Sequence, residues 1–212
     1  MHFQQITMTS GARCTIARAA ADPGADANPQ PLVVSLHYGG PVSPWYGRGL
    51  LEGVVAPALA ELGAVFVAPD CAQEQWASPD GRSAVLEAID HAKANHAVDD
   101  RRVLLTGYSK GGIGTWALVS AIPDTFTAAI VMAGRPPGDL DAGAWRVPTL
   151  AIQAADDELM PLAATEVWID ELRAAGASAQ LQVLDGVTHF ETHRFGAPLR
   201  LAVPWIKRVW TA

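Results

Sequence analysis

The chain has 212 residues, the length of one domain or slightly more. Half of its residues are hydrophobic and only 17% are charged, a composition that supports a buried core and excludes an intrinsically disordered chain. A formal net charge of −7, without any basic run, argues against nucleic acid or an anionic membrane surface as a partner. The two cysteines, Cys14 and Cys71, form neither a disulfide framework nor a zinc-binding motif. We therefore expect a single domain over residues 1–212.

The amino terminus shows no targeting pattern. The first five residues, Met-His-Phe-Gln-Gln, contain neither the basic region nor the apolar stretch of a signal peptide. No apolar run approaches the roughly 18 residues that a membrane-spanning helix needs. These features predict a cytoplasmic location. The sequence leaves the oligomeric state open, a homo-oligomer included.

Short apolar runs alternate along the chain with longer segments in which apolar residues recur at helical spacing. The two amino-terminal runs are separated by Ser10-Gly11, which predicts a hairpin. In chain order, the sequence predicts strands 3–9 and 12–19, loop 20–31, strand 32–36, helix 47–62, strand 64–68, helix 82–96, strand 102–106, helix 110–121, strand 128–132, loop 134–146, strand 148–152, helix 161–175, strand 179–184 and helix 196–210. Within helix 47–62, Pro57 is expected to kink or split the helix, and Gly63 to end it.

This order of elements predicts the fold class. Strands that read as continuous apolar runs are covered by helices on both faces, and repeated strand–helix–strand units build a mostly parallel sheet. We therefore expect a three-layer α/β/α sandwich with eight strands. The loop 134–146 is too short to hold a substantial cap over the edge of the sheet.

The segment 107–111, Gly-Tyr-Ser-Lys-Gly, fits the pattern G-x-S-x-G. It follows a predicted strand and opens a predicted helix, which is the context of a nucleophile elbow. In such a turn the serine is exposed on a strained backbone, and its neighbours at −2 and +2 must be small where strand and helix pack together. The alternative is a glycine-rich turn with an incidental serine. We interpret Ser109 as a candidate nucleophile.

A serine hydroxyl is a weak nucleophile, so it needs a base, and the base needs an orienting carboxylate. In this architecture the chain order is serine, acid, histidine. Two segments after Ser109 satisfy this order: residues 153–161 follow strand 148–152 and are rich in acids, and residues 185–191 follow strand 179–184 and contain His189. Both lie just past the carboxyl ends of strands, where open α/β sheets place their sites.

At this point the sequence resembles the α/β-hydrolase superfamily, and within it the small lidless carboxylesterase/phospholipase and polyhydroxybutyrate-depolymerase-like serine esterases. The resemblance covers nearly the whole chain from the strand before His37 to the final helix. It rests on four stretches, residues 36–40, 107–111, 157–161 and 186–190. Together they indicate the superfamily strongly and any one subfamily weakly.

The resemblance favours Asp157 as the acid. In this superfamily the acid commonly stands four residues before a proline that opens the next helix, and Asp157 and Pro161 match that spacing. Asp156 is the alternative acid. We interpret Glu158 as a solvated charge of the loop. The whole cluster could also be an exposed acidic loop that caps helix 161–175.

The resemblance places the base at His189, which follows the last strand in a Gly-x-x-His-Phe segment. A lone histidine is more often structural than catalytic. Here a serine elbow and an acidic loop precede it in the required order, which favours a catalytic role. His193, four residues further on, is the main competitor.

The segment 37–40, His-Tyr-Gly-Gly, resembles the superfamily's oxyanion loop, with Tyr38 where glycine is usual. The motif implies that the backbone N–H of Gly39 is one oxyanion donor, with that of Tyr38 as the alternative. The second donor would be the N–H of Lys110, the residue after the nucleophile. We expect His37 to brace this loop rather than to act as a base. Three tryptophans in loops after strands are candidates to line an acyl or aryl pocket: Trp45, Trp76 and Trp145.

These features predict a serine hydrolase that cleaves carboxylic esters through an acyl-enzyme, with short-acyl or small soluble esters as substrates. A thioesterase, amidase or peptidase on the same fold is the alternative. A metal-dependent hydrolase is disfavoured, since no His/Asp cluster has metal-ligand spacing. A non-catalytic binding protein on a degenerate hydrolase fold is also disfavoured, because both Ser109 and His189 are present. Neither a metal nor an organic cofactor is implied.

Overall fold

The computed structural model describes residues 1–19, 28–71 and 75–212, and most of the predicted loop 20–31 lies outside them. The described residues form one sheet of eight strands, as the sequence predicts. Their bounds are β1 His2–Thr7, β2 Arg13–Arg18, β3 Gln30–Leu36, β4 Val65–Pro69, β5 Val98–Tyr108, β6 Ala128–Met132, β7 Thr149–Ala154 and β8 Ala179–Leu184. The strand β5 is longer than expected because it begins in the polar segment before Val103.

The sheet has the order β1-β2-β4-β3-β5-β6-β7-β8. The hairpin strand β2 pairs antiparallel with both β1 and β4, whereas β3 to β8 are parallel. The prediction of a mostly parallel sheet is confirmed. Because β3, β5, β7 and β8 run in the same direction, their carboxyl ends lie at the same edge of the sheet. The residues that follow these four strands therefore lie close together.

In the part of the chain that the structure describes, seven α-helices cover the sheet, and several are short. Their bounds are α1 Arg48–Leu50, α2 Ala56–Ala58, α3 Pro79–Asn95, α4 Lys110–Ala121, α5 Leu162–Ala174, α6 Gly196–Leu201 and α7 Val203–Thr211. A π-helical turn, Leu51–Val55, joins α1 and α2, and 3₁₀ turns occupy Ala60–Leu62, Pro123–Thr125, Ala142–Ala144 and Thr192–Phe195.

Two predicted helices are divided at prolines. In segment 47–62 the N–H of Ala56 bonds the carbonyl of Leu51, an i to i−5 bond, just before Pro57. Proline has no N–H to continue the α-helical ladder, so the turn before it widens. At the carboxyl terminus the predicted helix 196–210 is two helices that meet at Ala202, because Pro204 starts the second one. Gly63 ends the first segment with a left-handed φ of 60°, as expected.

The core has two apolar layers, one on each face of the sheet. Successive residues of β3 point into opposite layers: Leu32 and Val34 belong to one layer and Val33 to the other. Helices α3, α4 and α5 cover the first face, and the π turn with α6 and α7 covers the second. This is the predicted three-layer α/β/α sandwich. The connection between β6 and β7, residues 133–148, contains no regular element other than the 3₁₀ turn Ala142–Ala144.

Candidate active site

Ser109 stands at a sharp turn between β5 and α4. Its backbone has φ 56° and ψ −116°, a conformation that a residue with a side chain rarely adopts and that costs about 1–3 kcal/mol. The turn is possible because Gly107 and Gly111 have no side chains. A Cβ on Gly107 would overlap the main chain of Gly111, and a Cβ on Gly111 would overlap the carbonyl oxygen of Leu36. The glycines therefore allow α4 to pack directly against β5 and β3.

The side chain of His189 connects Ser109 to Asp157. Its Nε2 is 2.8 Å from Ser109 Oγ, and its Nδ1 is 2.9 Å from both carboxylate oxygens of Asp157. Because the carboxylate can only accept, Nδ1 carries the proton and donates, and Nε2 accepts from the serine hydroxyl. All three residues are buried, with exposures of 8%, 5% and 6% for Ser109, His189 and Asp157.

The carboxylate of Asp157 is held by its own loop and by β7. Its Oδ1 accepts the backbone N–H groups of Leu159 at 3.0 Å and Met160 at 2.7 Å, and its Oδ2 accepts Gln153 Nε2 at 3.0 Å. The alternative acid, Asp156, is exposed and does not contact His189. Gln153 is not among the site residues that the sequence predicts. A polar residue in an otherwise apolar strand is the signal that could have found it.

His189 and its competitor occupy different surroundings. His193 is exposed in the 3₁₀ turn after the loop and lines a separate depression near the end of β8. The main chain of His189 contacts two side chains: its N–H donates to Glu158 Oε2 at 2.9 Å, and its carbonyl accepts the hydroxyl of Tyr108 at 2.6 Å. Glu158 is exposed on its loop, as expected of a solvated charge, and its carboxylate also bonds the histidine loop.

A cavity of about 560 Å³ opens beside Ser109. Its lining comprises Tyr38, Gly39, Tyr108, Ser109, Lys110, Leu159, Met160, His189, Phe190 and Thr192. The three residues expected to supply oxyanion donors thus share this cavity with the nucleophile candidate. At its rim, Leu159 and Phe190 are 51% and 72% exposed, so large apolar groups lie next to the serine.

His37 is fully buried beneath the loop that contains Tyr38 and Gly39. Its Nε2 accepts the N–H of Cys71 at 3.0 Å, so its Nδ1 carries the proton and donates to the carbonyl of Tyr38 at 2.7 Å. Both ring nitrogens are thus engaged with the main chain, and His37 links the loop after β3 to the loop after β4.

The loop tryptophans do not line the cavity beside Ser109. Trp145 packs in the core against Trp116 and Trp168, with ring centroids 5.6 and 5.8 Å apart, so the pocket assignment is wrong for it. Trp76 is 1% exposed and donates to the carbonyl of His37. Trp45 donates to the carbonyl of Ile6. Trp76 lines a separate depression that also contains Lys110 and Met160.

Within residues 1–19, 28–71 and 75–212, no group of three or more His, Cys, Asp or Glu side chains is arranged to hold a metal ion. No helix in the same part of the chain is both long and apolar enough to cross a membrane.

The sheet order and the strand–turn–helix at Ser109 define an α/β-hydrolase fold. The structure of S-formylglutathione hydrolase from Staphylococcus aureus superposes with a TM-score of 0.76 at 15% identity, covering 97% of this chain and 95% of that one. The profile of the dienelactone hydrolase family matches residues 55–195, about two thirds of the chain. The chain belongs to the dienelactone hydrolase family.

Sequence relatives include esterases. Feruloyl esterase C from Emericella nidulans is 31% identical over 146 residues, which are 63% of this chain and 51% of that protein. Cutinase 1 from Thermobifida cellulosilytica is 33% identical over 142 residues, 61% of this chain and 52% of the cutinase. The chain thus spans about half the length of these relatives.

The close packing at Gly111 can be tested by adding one methyl group. Gly111→Ala should lower the free energy of unfolding by about 1–3 kcal/mol, because the Cβ overlaps the backbone of Leu36, which cannot move without shifting β3. Urea denaturation measures the change.

Gly53→Ala is the matched control for that substitution. No atom lies within 4 Å of its added Cβ, and alanine in a helical turn stabilises by about 0.5–1 kcal/mol. Equal stability of the two variants would show that the junction between β3 and α4 tolerates a side chain.

Proposed function

We propose that this protein hydrolyses carboxylic esters through a covalent acyl-enzyme on Ser109. The observation that carries the proposal is the continuous hydrogen-bond path from Ser109 Oγ through His189 to Asp157, with distances of 2.8 and 2.9 Å, at the wall of an open cavity. The esterase names of relatives that match over 61–63% of this chain support the same reaction class.

In the first step, Ser109 Oγ attacks the ester carbonyl while His189 Nε2 takes the hydroxyl proton. Asp157 holds the Nδ1 proton, so it fixes the tautomer and stabilises the imidazolium that forms. His189 then donates its proton to the departing alcohol. The acyl group is left on the serine.

In the second step, water enters in place of the alcohol, and His189 Nε2 takes its proton as it attacks the acyl-serine. The bond between the acyl carbon and Ser109 Oγ then breaks, His189 returns the proton to Oγ, and the carboxylic acid leaves. Both steps develop negative charge on the carbonyl oxygen. We assign its stabilisation to the backbone N–H groups of Lys110 and of Gly39, with Tyr38 as the alternative to Gly39. All three line the cavity. Loss of one such donor typically lowers the rate about 10²–10³-fold.

The proposed substrates are small, soluble esters. The short connection between β6 and β7 cannot form a lid that exposes a broad apolar surface to a lipid aggregate. Leu159 and Phe190 give the rim enough apolar surface to bind a short acyl or aryl group. Thioesters and amides are competing substrate classes, and competition between matched substrates distinguishes them. The cytoplasmic location remains a prediction from the sequence, which leaves the oligomeric state open.

Ser109→Ala tests the nucleophile. The substitution removes one oxygen, so folding should persist while kcat on a short p-nitrophenyl ester falls at least about 10³-fold. A fluorophosphonate probe should label Ser109 in the unmodified protein, and mass spectrometry of the digest locates the adduct. Activity that survives within about tenfold of the original would rule out Ser109 as nucleophile.

The identity of the base can be tested with two histidines of the same loop region. His189→Ala should lower kcat about as much as Ser109→Ala does, because the two residues act as a unit. His193→Ala serves as the control and should cost less than about tenfold, since its side chain is exposed and lines a depression separate from the cavity beside Ser109. If steady-state kinetics show a larger loss of kcat in His193→Ala than in His189→Ala, His193 is the base.

An acyl-length series tests the substrate class. Each buried CH₂ contributes about 0.8 kcal/mol, so without a large apolar surface kcat/KM should reach its maximum at or below about eight carbons. The rate should also rise smoothly with substrate concentration through the micelle threshold. A maximum near sixteen carbons together with a jump at that threshold would contradict the assignment.

A further inference from the structure

The loop that contains His189 lies outside the sheet. It begins after β8 ends at Leu184, and His189 itself stands in a turn. Among the described residues, no backbone group of a strand or helix forms a hydrogen bond with the N–H or the carbonyl of His189. A buried backbone N–H or C=O nevertheless requires a partner, and here one side chain from β5 and one from the loop after β7 supply both.

The first partner is Tyr108, which immediately precedes Ser109. Its ring is 2% exposed and packs edge-on against Phe195 with centroids 4.9 Å apart, while its hydroxyl donates to the carbonyl of His189 at 2.6 Å. Burial raises the pKa of Tyr108 to about 12, so the hydroxyl keeps its proton and remains a donor at neutral pH. The turn that holds Ser109 is thereby connected directly to the histidine loop.

The second partner is Glu158, which immediately follows Asp157. Its carboxylate accepts the backbone N–H of His189 at 2.9 Å. This hydrogen bond holds the pKa of Glu158 below its usual range, so the acceptor is charged at neutral pH. The loop that holds Asp157 is thus connected to the peptide group before His189, while Tyr108 bonds the peptide group after it.

We propose that Tyr108 and Glu158 form a peptide clamp that positions His189 between Ser109 and Asp157. The proposal rests on the proposed function, since positioning has a consequence for rate only if His189 is the base. The Nε2–Oγ distance of 2.8 Å requires the ring to be placed to a fraction of an ångström. A misplacement of about 1 Å can lower a rate about 10²-fold without changing substrate binding.

Kinetics of single variants test the clamp. Tyr108→Phe removes only the donor hydroxyl, and Glu158→Ala removes only an exposed acceptor. Each should lower kcat about tenfold while KM stays within about twofold, because the ring of His189 is displaced but the cavity is kept. Glu158→Gln retains a side-chain oxygen acceptor and should recover most of the lost kcat. Glu166→Ala, an exposed glutamate of α5, is the matched control and should behave as the unmodified protein.

A spectroscopic measurement separates positioning from general stability. The proton on His189 Nδ1, held between the ring and Asp157, should give a sharp low-field NMR signal in the unmodified protein and in Glu166→Ala. We expect the signal to broaden or disappear in Tyr108→Phe and Glu158→Ala, at temperatures where circular dichroism shows both folded. The signal is assigned by its loss in His189→Ala.

Unchanged kcat and an unchanged signal in both variants would overturn the clamp while leaving the proposed function intact. An active Ser109→Ala would instead remove the proposed function, and the NMR signal would still report whether the two side chains hold His189. Loss of kcat in Glu158→Ala that Glu158→Gln does not recover, with a sharp signal retained, would also count against the clamp. If Tyr108→Phe does not fold, the comparison of Glu158→Ala with Glu158→Gln tests the clamp. Both variants should fold, because the Glu158 side chain is exposed.

Discussion

The close contact between β5, α4 and β3 around Ser109 is the constraint on which the site depends. The serine has a left-handed φ of 56°, and this strained turn is kept because Gly107 and Gly111 let three backbones approach within contact distance. The resulting turn brings the Ser109 hydroxyl within 2.8 Å of His189 Nε2. Every other group of the site is arranged with respect to that one oxygen.

Parallel pairing brings the remaining groups to the same edge. The loops after β3, β7 and β8 contribute Gly39, Asp157 and His189, which are far apart in sequence but follow strands of one sheet. Loops at a sheet edge are held less firmly than strands, so each needs contacts of its own. His37 joins two loops by both ring nitrogens, Gln153 holds the acid, and Tyr108 and Glu158 bond the main chain of His189.

Much of the architecture was predictable because local patterns and the fold agree. The helix Lys110–Ala121 and the strands Ala128–Met132 and Ala179–Leu184 have the predicted bounds, since their apolar periodicity is uninterrupted. The sequence predicted the break at Pro57 but not the one at Pro204, which divides the predicted helix 196–210 in two. Side-chain periodicity is nearly the same in an α-helix and in a π turn, so the pattern alone could not show that the turn before Pro57 is π-helical.

The sequence by itself determined the order of elements, the strand–turn–helix around Ser109 and the two segments from which an acid and a base could come. It did so because backbone periodicity and glycine spacing are local properties. Only the tertiary structure decided that Asp157 rather than Asp156 contacts His189, that Trp145 belongs to the core, and that Glu158 bonds a distant main chain. Adjacent carboxylates look identical in a sequence, and which one turns inward depends on the donors that β7 and the histidine loop place around it.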